Sequence, residues 1–94
     1  MTAKTFTPNL IQARALWNTF VGNGFTPESH KQETTTREVL VREGYLTGED
    51  AVGESGYTKG MKGRKYTVTV KGNLFAAQRF PHTYVAYTIK KMPE

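Results

Sequence analysis

The chain has 94 residues, carries a formal net charge of +5 and contains no cysteine. This length predicts one domain spanning residues 1–94, and the lack of cysteine excludes disulfides and thiolate metal sites and favours a reducing, cytoplasmic compartment. Because the sequence has no signal-peptide pattern and no apolar run near the ~20 residues of a membrane-spanning helix, we expect no membrane association.

The first predicted element is an amphipathic helix. Apolar residues recur at three- and four-residue spacing from Leu10 to Val21, which predicts a helix over residues 8–21. Thr7 is its predicted N-cap, since Pro8 suits the first helical position. The residues before it, 1–6, are predicted to be a loose N-terminal tail.

The next segment leaves two alternatives. Thr26 precedes a proline and repeats the helix-start signal, whereas Thr35 and Glu38 form the pattern of a capping box. The chain therefore forms either one helix over residues 27–43 or a single turn followed by a separate helix over residues 36–43.

The middle of the chain predicts two strands. Residues 66–70 alternate aromatic or β-branched residues and give the strongest strand pattern in the chain. An earlier strand is predicted to begin at Tyr45. Between them, residues 48–64 are rich in glycine, acidic and then basic residues, which is the composition of a long loop.

The last third predicts a short helix and a further strand. Asn73 is the predicted cap of a helix over residues 74–79, which Phe80-Pro81 would end. Residues 82–91 alternate in the manner of a strand, and we expect residues 83–90 to pair with residues 65–71. These elements predict a small α+β domain with two to three helices packed on a two- to three-stranded antiparallel sheet.

Positive charge is concentrated in the second half of the chain. Residues 56–92 contain eight basic residues and no acidic one, whereas residues 1–55 contain five basic and seven acidic residues. A one-sided field of this kind attracts polyanions such as nucleic acid. The candidate phosphate-binding residues are Lys59, Lys62, Arg64, Lys65 and Lys71, and Tyr57 is a candidate for stacking on a base if the ligand is single-stranded.

Two segments resemble a winged-helix DNA-binding domain. In residues 35–46 a predicted helix ends in Glu43-Gly44-Tyr45-Leu46, as recognition helices of that family do, and after the glycine-rich loop residues 66–72 read Tyr-Thr-Val-Thr-Val-Lys-Gly, like the second strand of its hairpin. The resemblance spans about residues 34–72. Two features depart from the family. A winged helix usually has a full helix between its first helix and its recognition helix, whereas only about ten polar residues separate them here, and the loop between the two hairpin strands is long.

The resemblance implies a winged-helix-like fold and a DNA-binding role. Thr35, Thr36 and Arg37 would lie near the exposed start of the recognition helix and reach base edges in the major groove. A basic wing would contact phosphates or the minor groove. The implied partner is duplex DNA rather than RNA. By analogy, the small size of the chain and its lack of other domains suit a small accessory or regulatory protein of the kind that phages and mobile elements encode. The family commonly acts as homodimers, so a homodimer is one arrangement that it allows.

A second interpretation is a protein-binding inhibitor or adaptor. The basic, aromatic-bearing C-terminal half would dock on an acidic surface of a larger complex. Tyr57, Phe80 and Tyr84 are the candidate anchors, because aromatic side chains dominate interface energies.

The sequence offers no pattern for catalysis. It lacks a cysteine nucleophile and phosphate- or dinucleotide-binding glycine motifs, and His30 and His82, its two histidines, are far apart. We therefore expect a non-enzymatic protein without a cofactor or metal ion.

Overall fold

A computed structural model describes residues 5–91 of the chain. In chain order its elements are α1 (Leu10–Val21), β1 (Phe25–Pro27), α2 (Lys31–Arg42), β2 (Leu46–Val52), β3 (Lys62–Val68), α3 (Val70–Arg79) and α4 (Pro81–Lys91), with a 3₁₀ turn at Gly56–Thr58. The strands form one antiparallel sheet in the order β1-β3-β2. The predicted α+β class is confirmed, although four helices rather than two to three lie within the described residues.

Helix α1 confirms the first predicted helix but starts two residues later. Its N-cap is Asn9 rather than Thr7. The Asn9 side chain accepts a hydrogen bond from the Gln12 N–H, and the Gln12 side chain accepts one from the Asn9 N–H, each at 2.9 Å. This reciprocal capping box satisfies two donors that a bare helix end leaves without partners.

The helix start predicted at Thr26 is wrong, because Thr26 and Pro27 lie in β1. A proline is tolerated there since β1 is an edge strand, where a missing N–H breaks no ladder. One helix, α2, follows instead of the two-helix alternative. The predicted cap Thr35 lies inside that helix, and its hydroxyl donates to the Lys31 carbonyl at 2.9 Å.

Both strands predicted for the middle of the chain are present, and they pair with each other; β3 begins four residues earlier than predicted, at Lys62, and ends at Val68 rather than Val70. Strand β2 extends to Val52 and pairs with β3 along its whole length, so the connecting loop is residues 53–61 rather than 48–64. Two glycines of the predicted loop, Gly48 and Gly63, lie inside the strands, where a larger side chain would collide with neighbouring atoms. A Cβ on Gly63 would lie 2.2 Å from the Thr26 carbonyl oxygen, and one on Gly48 would lie 3.0 Å from the Tyr66 ring.

The strand predicted for residues 82–91 is wrong, since this segment is helix α4, and β3 pairs with β1 and β2 instead. Helix α4 packs its tyrosines on α1: Tyr84 stacks on Phe20 with centroids 5.5 Å apart, and Tyr87 meets Trp17 at 6.0 Å. This tertiary packing outweighs the strand propensity of the segment. Helix α3 also starts earlier than predicted, with Thr69 rather than Asn73 as its N-cap.

The core lies between the sheet and the helices. Its fully buried large side chains are Leu16, Leu40, Leu46 and Tyr66. The molecule measures 47 × 43 × 19 Å, so it is a flat plate about one sheet and one helix layer thick. Phe6, predicted to belong to the loose tail, packs on Tyr45 at 6.0 Å, while tail residues 1–4 lie outside the described residues.

Replacing Gly72 with alanine tests this packing. Alanine normally stabilises a helix interior by ~1 kcal/mol over glycine. In α3, however, a Cβ on Gly72 would lie 2.2 Å from the Tyr45 carbonyl oxygen and 2.9 Å from Val68 Cγ1. Gly72→Ala should therefore lower the free energy of unfolding, by about 1–3 kcal/mol, in urea denaturation followed by Trp17 fluorescence.

Gln78→Ala, at an exposed position of the same helix, is the control and should change stability by less than ~0.5 kcal/mol. A Gly72→Ala variant as stable as the wild type would contradict the close approach of α3 to Tyr45.

Candidate nucleic-acid interface

A polar cluster joins α2 to the sheet. The Tyr66 hydroxyl and the Arg64 Nε both donate to Glu38 Oε2, at 2.5 and 2.8 Å, and another guanidinium nitrogen of Arg64 donates to Asp50 Oδ1 at 3.1 Å. Gly48 leaves room for the Tyr66 ring, which is only 2% exposed. Arg64, predicted to bind phosphate, is thus held by two carboxylates of its own chain.

The contacts of the cluster raise the pKa of both Tyr66 and Arg64. Burial, followed by the hydrogen bond to Glu38, raises the pKa of Tyr66 to about 12. The hydrogen bond to Asp50 is the largest of the contacts that raise the pKa of Arg64 further above its ordinary value. A neutral tyrosine and a cationic arginine therefore share the Glu38 carboxylate, which anchors α2 on β3.

Stability should depend on Tyr66 at alkaline pH. Unfolded tyrosine loses its proton near its ordinary pKa of 10.0, whereas folded Tyr66 keeps it to about 12, so the free energy of unfolding should fall as pH rises through this window. The fall attributable to Tyr66 should reach about 3 kcal/mol. Urea denaturation of the wild type and Tyr66→Phe from pH 8 to 12 measures it.

Tyr66→Phe should be less stable at pH 8 by about 1–3 kcal/mol, because it lacks the hydrogen bond to Glu38, and its stability should fall less steeply above pH 10. Parallel pH curves for the two proteins would show that the hydroxyl does not carry this dependence.

The residues predicted for base recognition are only partly accessible. Arg37 lies between α2 and α1 with its side chain 12% exposed, where its Nε donates to Thr19 Oγ1 at 3.0 Å and a guanidinium nitrogen lies 4.0 Å from Glu33. Thr36 is half-buried and donates to the Gln32 carbonyl. Thr35 is the exposed residue of the three. The rotation of α2 therefore turns Arg37 away from solvent.

Two other residues predicted to bind phosphate, Lys65 and Lys71, lie apart from Arg64. Lys65 follows Arg64 in β3 and so points to the opposite face of the sheet, where its cross-strand neighbour is Glu49. Lys71 is in the first turn of α3, and its side chain reaches the C-terminal end of α2, with Nζ 2.9 Å from the Glu43 carbonyl oxygen and 4.6 Å from the centroid of the Tyr45 ring. The predicted site residues therefore do not form one surface.

Lys59 and Lys62 belong to an exposed, ordered hairpin. We name residues 53–61 the wing loop. Gly53 N–H donates to the Met61 carbonyl, Gly60 N–H to that of Gly53, and Met61 N–H to that of Thr58, each at 2.9 Å. A Cβ on Gly53 would lie 2.0 Å from the Thr58 carbonyl oxygen, so the loop closes tightly on itself.

A third cation borders the base of this hairpin. A shallow groove of about 410 Å³ is lined by Pro27, Glu28, Ser29, Lys31, Met61 and Lys62. Lys31 is the first residue of α2, and the sequence reasoning missed it because the polar stretch before Thr34 gave no clear helix start. We name Lys31, Tyr57, Lys59, Met61 and Lys62 the wing surface. Each of these five side chains is exposed.

A larger groove separates α1 and α2. It measures about 790 Å³, and its charged lining residues are Arg14, Glu33 and Arg37, among the amides of Asn9, Gln12, Asn18 and Gln32. Thr36 lies in it as well. The groove therefore joins two of the predicted base-reading residues to Arg14, on a surface whose formal charge is close to neutral.

The described residues show no metal-binding cluster, since no three His, Asp or Glu side chains among residues 5–91 lie close enough together to hold an ion. Within the same range, none of the helices is long and apolar enough to cross a membrane. No protein-family model, curated protein or solved structure matches the chain. The winged-helix resemblance thus stays a prediction.

Proposed function

We propose that this chain is a non-enzymatic nucleic-acid-binding protein that uses its wing surface to hold phosphates. The supporting observation is that Lys31, Lys59 and Lys62 are exposed and form no ion pair with another residue between 5 and 91. Free cations of this kind release condensed counterions when they meet phosphates, whereas Arg64 would first have to leave Glu38 and Asp50.

Duplex DNA is the favoured target over RNA. An α-helix fits the major groove of DNA but not the deep, narrow major groove of an RNA helix. The resemblance implies a recognition helix followed by a hairpin, and α2 is followed directly by the β2–β3 hairpin that carries the wing loop. Between β1 and this hairpin the chain has α2 as its one helix. Its exposed residues Lys31, Thr35 and Arg42 would face the DNA.

The proposed biological role follows from size and analogy. A chain of 94 residues with a binding surface and no catalytic pattern suits a small accessory or regulatory protein of phage or mobile-element type, acting in the cytoplasm. A homodimer would place two wing surfaces on one duplex.

Neutralising two wing cations tests the proposal. Lys59→Gln combined with Lys62→Gln should lower affinity for duplex DNA at least about tenfold at ~50 mM salt. The slope of log affinity against log salt concentration should also become less negative by about 1.8, because each lost phosphate contact removes about 0.9 from its magnitude. Fluorescence anisotropy over a salt series measures both effects.

Lys90→Gln combined with Lys91→Gln is the matched control, because it removes the same charge from the far end of α4. Equal losses in the two double variants would mean that net charge, and not the wing surface, drives binding. No binding by the wild type at this salt concentration would refute the proposed function.

The adaptor role is a second candidate that one observation favours. Val70 and Leu74 on α3 and Val85 and Ile89 on α4 are 54–79% exposed. Each pair has the i, i+4 spacing of one helix face, and the charged residues of both helices are all basic. These faces would suit an acidic protein surface with apolar patches.

If the wild type binds no nucleic acid, Leu74→Glu combined with Ile89→Glu tests this candidate in affinity capture from cell lysate. An acidic partner should be captured by the wild type and lost in the variant, because both apolar burial and charge attraction are removed. Equal capture by both proteins would place the contact elsewhere.

A further inference from the structure

Tyr57 differs from the other tyrosines of the chain. Tyr45, Tyr84 and Tyr87 pack on other aromatic rings, and Tyr66 is buried against Glu38. Tyr57 is 76% exposed, and no aromatic ring among the described residues pairs with it. A large ring left uncovered at the end of a hairpin has no role in packing the fold.

The wing loop holds Tyr57 in place. Tyr57 is the central residue of the 3₁₀ turn, which the Lys59 N–H closes by donating to the Gly56 carbonyl, while Thr58 Oγ1 donates to the Ser55 carbonyl at 2.9 Å. Gly56 at the start of the turn and Gly60, two residues past its end, adopt left-handed conformations with φ of 64° and 83°. Because the loop is already ordered, a ligand that covers the ring loses little free energy to loop ordering.

The cations beside the ring indicate the chemistry of the ligand. Lys59 follows Tyr57 by two residues, and Lys62 begins the adjoining strand. A nucleotide carries both a flat aromatic base and a phosphate, so a nucleotide ligand offers one group to the ring and another to the neighbouring lysines. Base faces inside a duplex are covered by their neighbours, so the ring has no base to stack on within the double helix, whereas an unpaired nucleotide offers it an open face.

We propose that Tyr57 is a stacking site for an unpaired base, so that the target is DNA in which single-stranded nucleotides adjoin a duplex. This inference rests on the proposed function, since Lys59 and Lys62 must hold the flanking phosphates. Stacking recognises the π-face common to all bases, and the site therefore selects strand structure rather than sequence.

Two probes with equal numbers of phosphates test the inference by anisotropy at ~100 mM salt, where phosphate contacts still contribute strongly. One is a blunt duplex, and the other is a shorter duplex with a single-stranded overhang. The wild type should bind the overhang probe about 5- to 100-fold more tightly, which is the usual effect of one stacked base. Tyr57→Leu should lose this preference, and Tyr57→Phe, which keeps the ring, should retain it.

The outcomes separate this inference from the proposed function. Lys59→Gln should weaken binding to both probes by the same factor. If the wild type binds both probes equally, or Tyr57→Leu keeps the preference, the stacking site is refuted while lysine-dependent binding upholds the proposed function. If neither probe binds even at ~50 mM salt, both are refuted. Thermal unfolding should be unchanged in Tyr57→Leu, because the side chain is exposed.

Discussion

The shared carboxylate of Glu38 fastens α2 to the sheet. It receives the Tyr66 hydroxyl and the Arg64 guanidinium, which in turn reaches Asp50, so one side chain of α2 connects that helix to β3 and, through Arg64, to β2. A buried hydroxyl such as that of Tyr66 needs a partner, and removing Glu38 would leave it without one at a cost of about 1–3 kcal/mol. The same anchor fixes the rotation of α2, which turns Arg37 towards α1 and leaves Lys31 and Thr35 outside.

Local patterns predicted the elements whose signals agree with one another. The apolar spacing of α1 and the alternation around Tyr66 each fit one structure, and both elements were predicted. Residues 82–91 fit both a strand and a helix, because the spacing of Val85 and Ile89 places them on one face of either structure. The choice depends on Trp17 and Phe20, more than sixty positions earlier in the chain, against which α4 packs. A single-segment pattern does not contain that contact.

The candidate site was predicted less well for a related reason. Counting charges along the chain located the basic segment, and Lys59 and Lys62 lie on an exposed surface within it. The count could not reveal which cations the fold engages: Arg64 forms ion pairs with Glu38 and Asp50, which lie 26 and 14 positions away, and Arg37 donates a hydrogen bond to Thr19, 18 positions away. Lys31 joins the wing surface only because β1 and β3 bring the start of α2 beside Met61 and Lys62.

The molecule thus has a charged edge at the wing loop and apolar, basic faces on its last two helices, and the proposed function assigns nucleic acid to the first. An amide-resolved NMR titration of the ¹⁵N-labelled protein with a duplex bearing a single-stranded overhang distinguishes these surfaces. The largest shift changes should occur in residues 53–62 and in α2, while the amides of α4 stay unchanged. Changes centred on α3 and α4, or no changes at low salt, would contradict the assignment of the wing surface as the binding site.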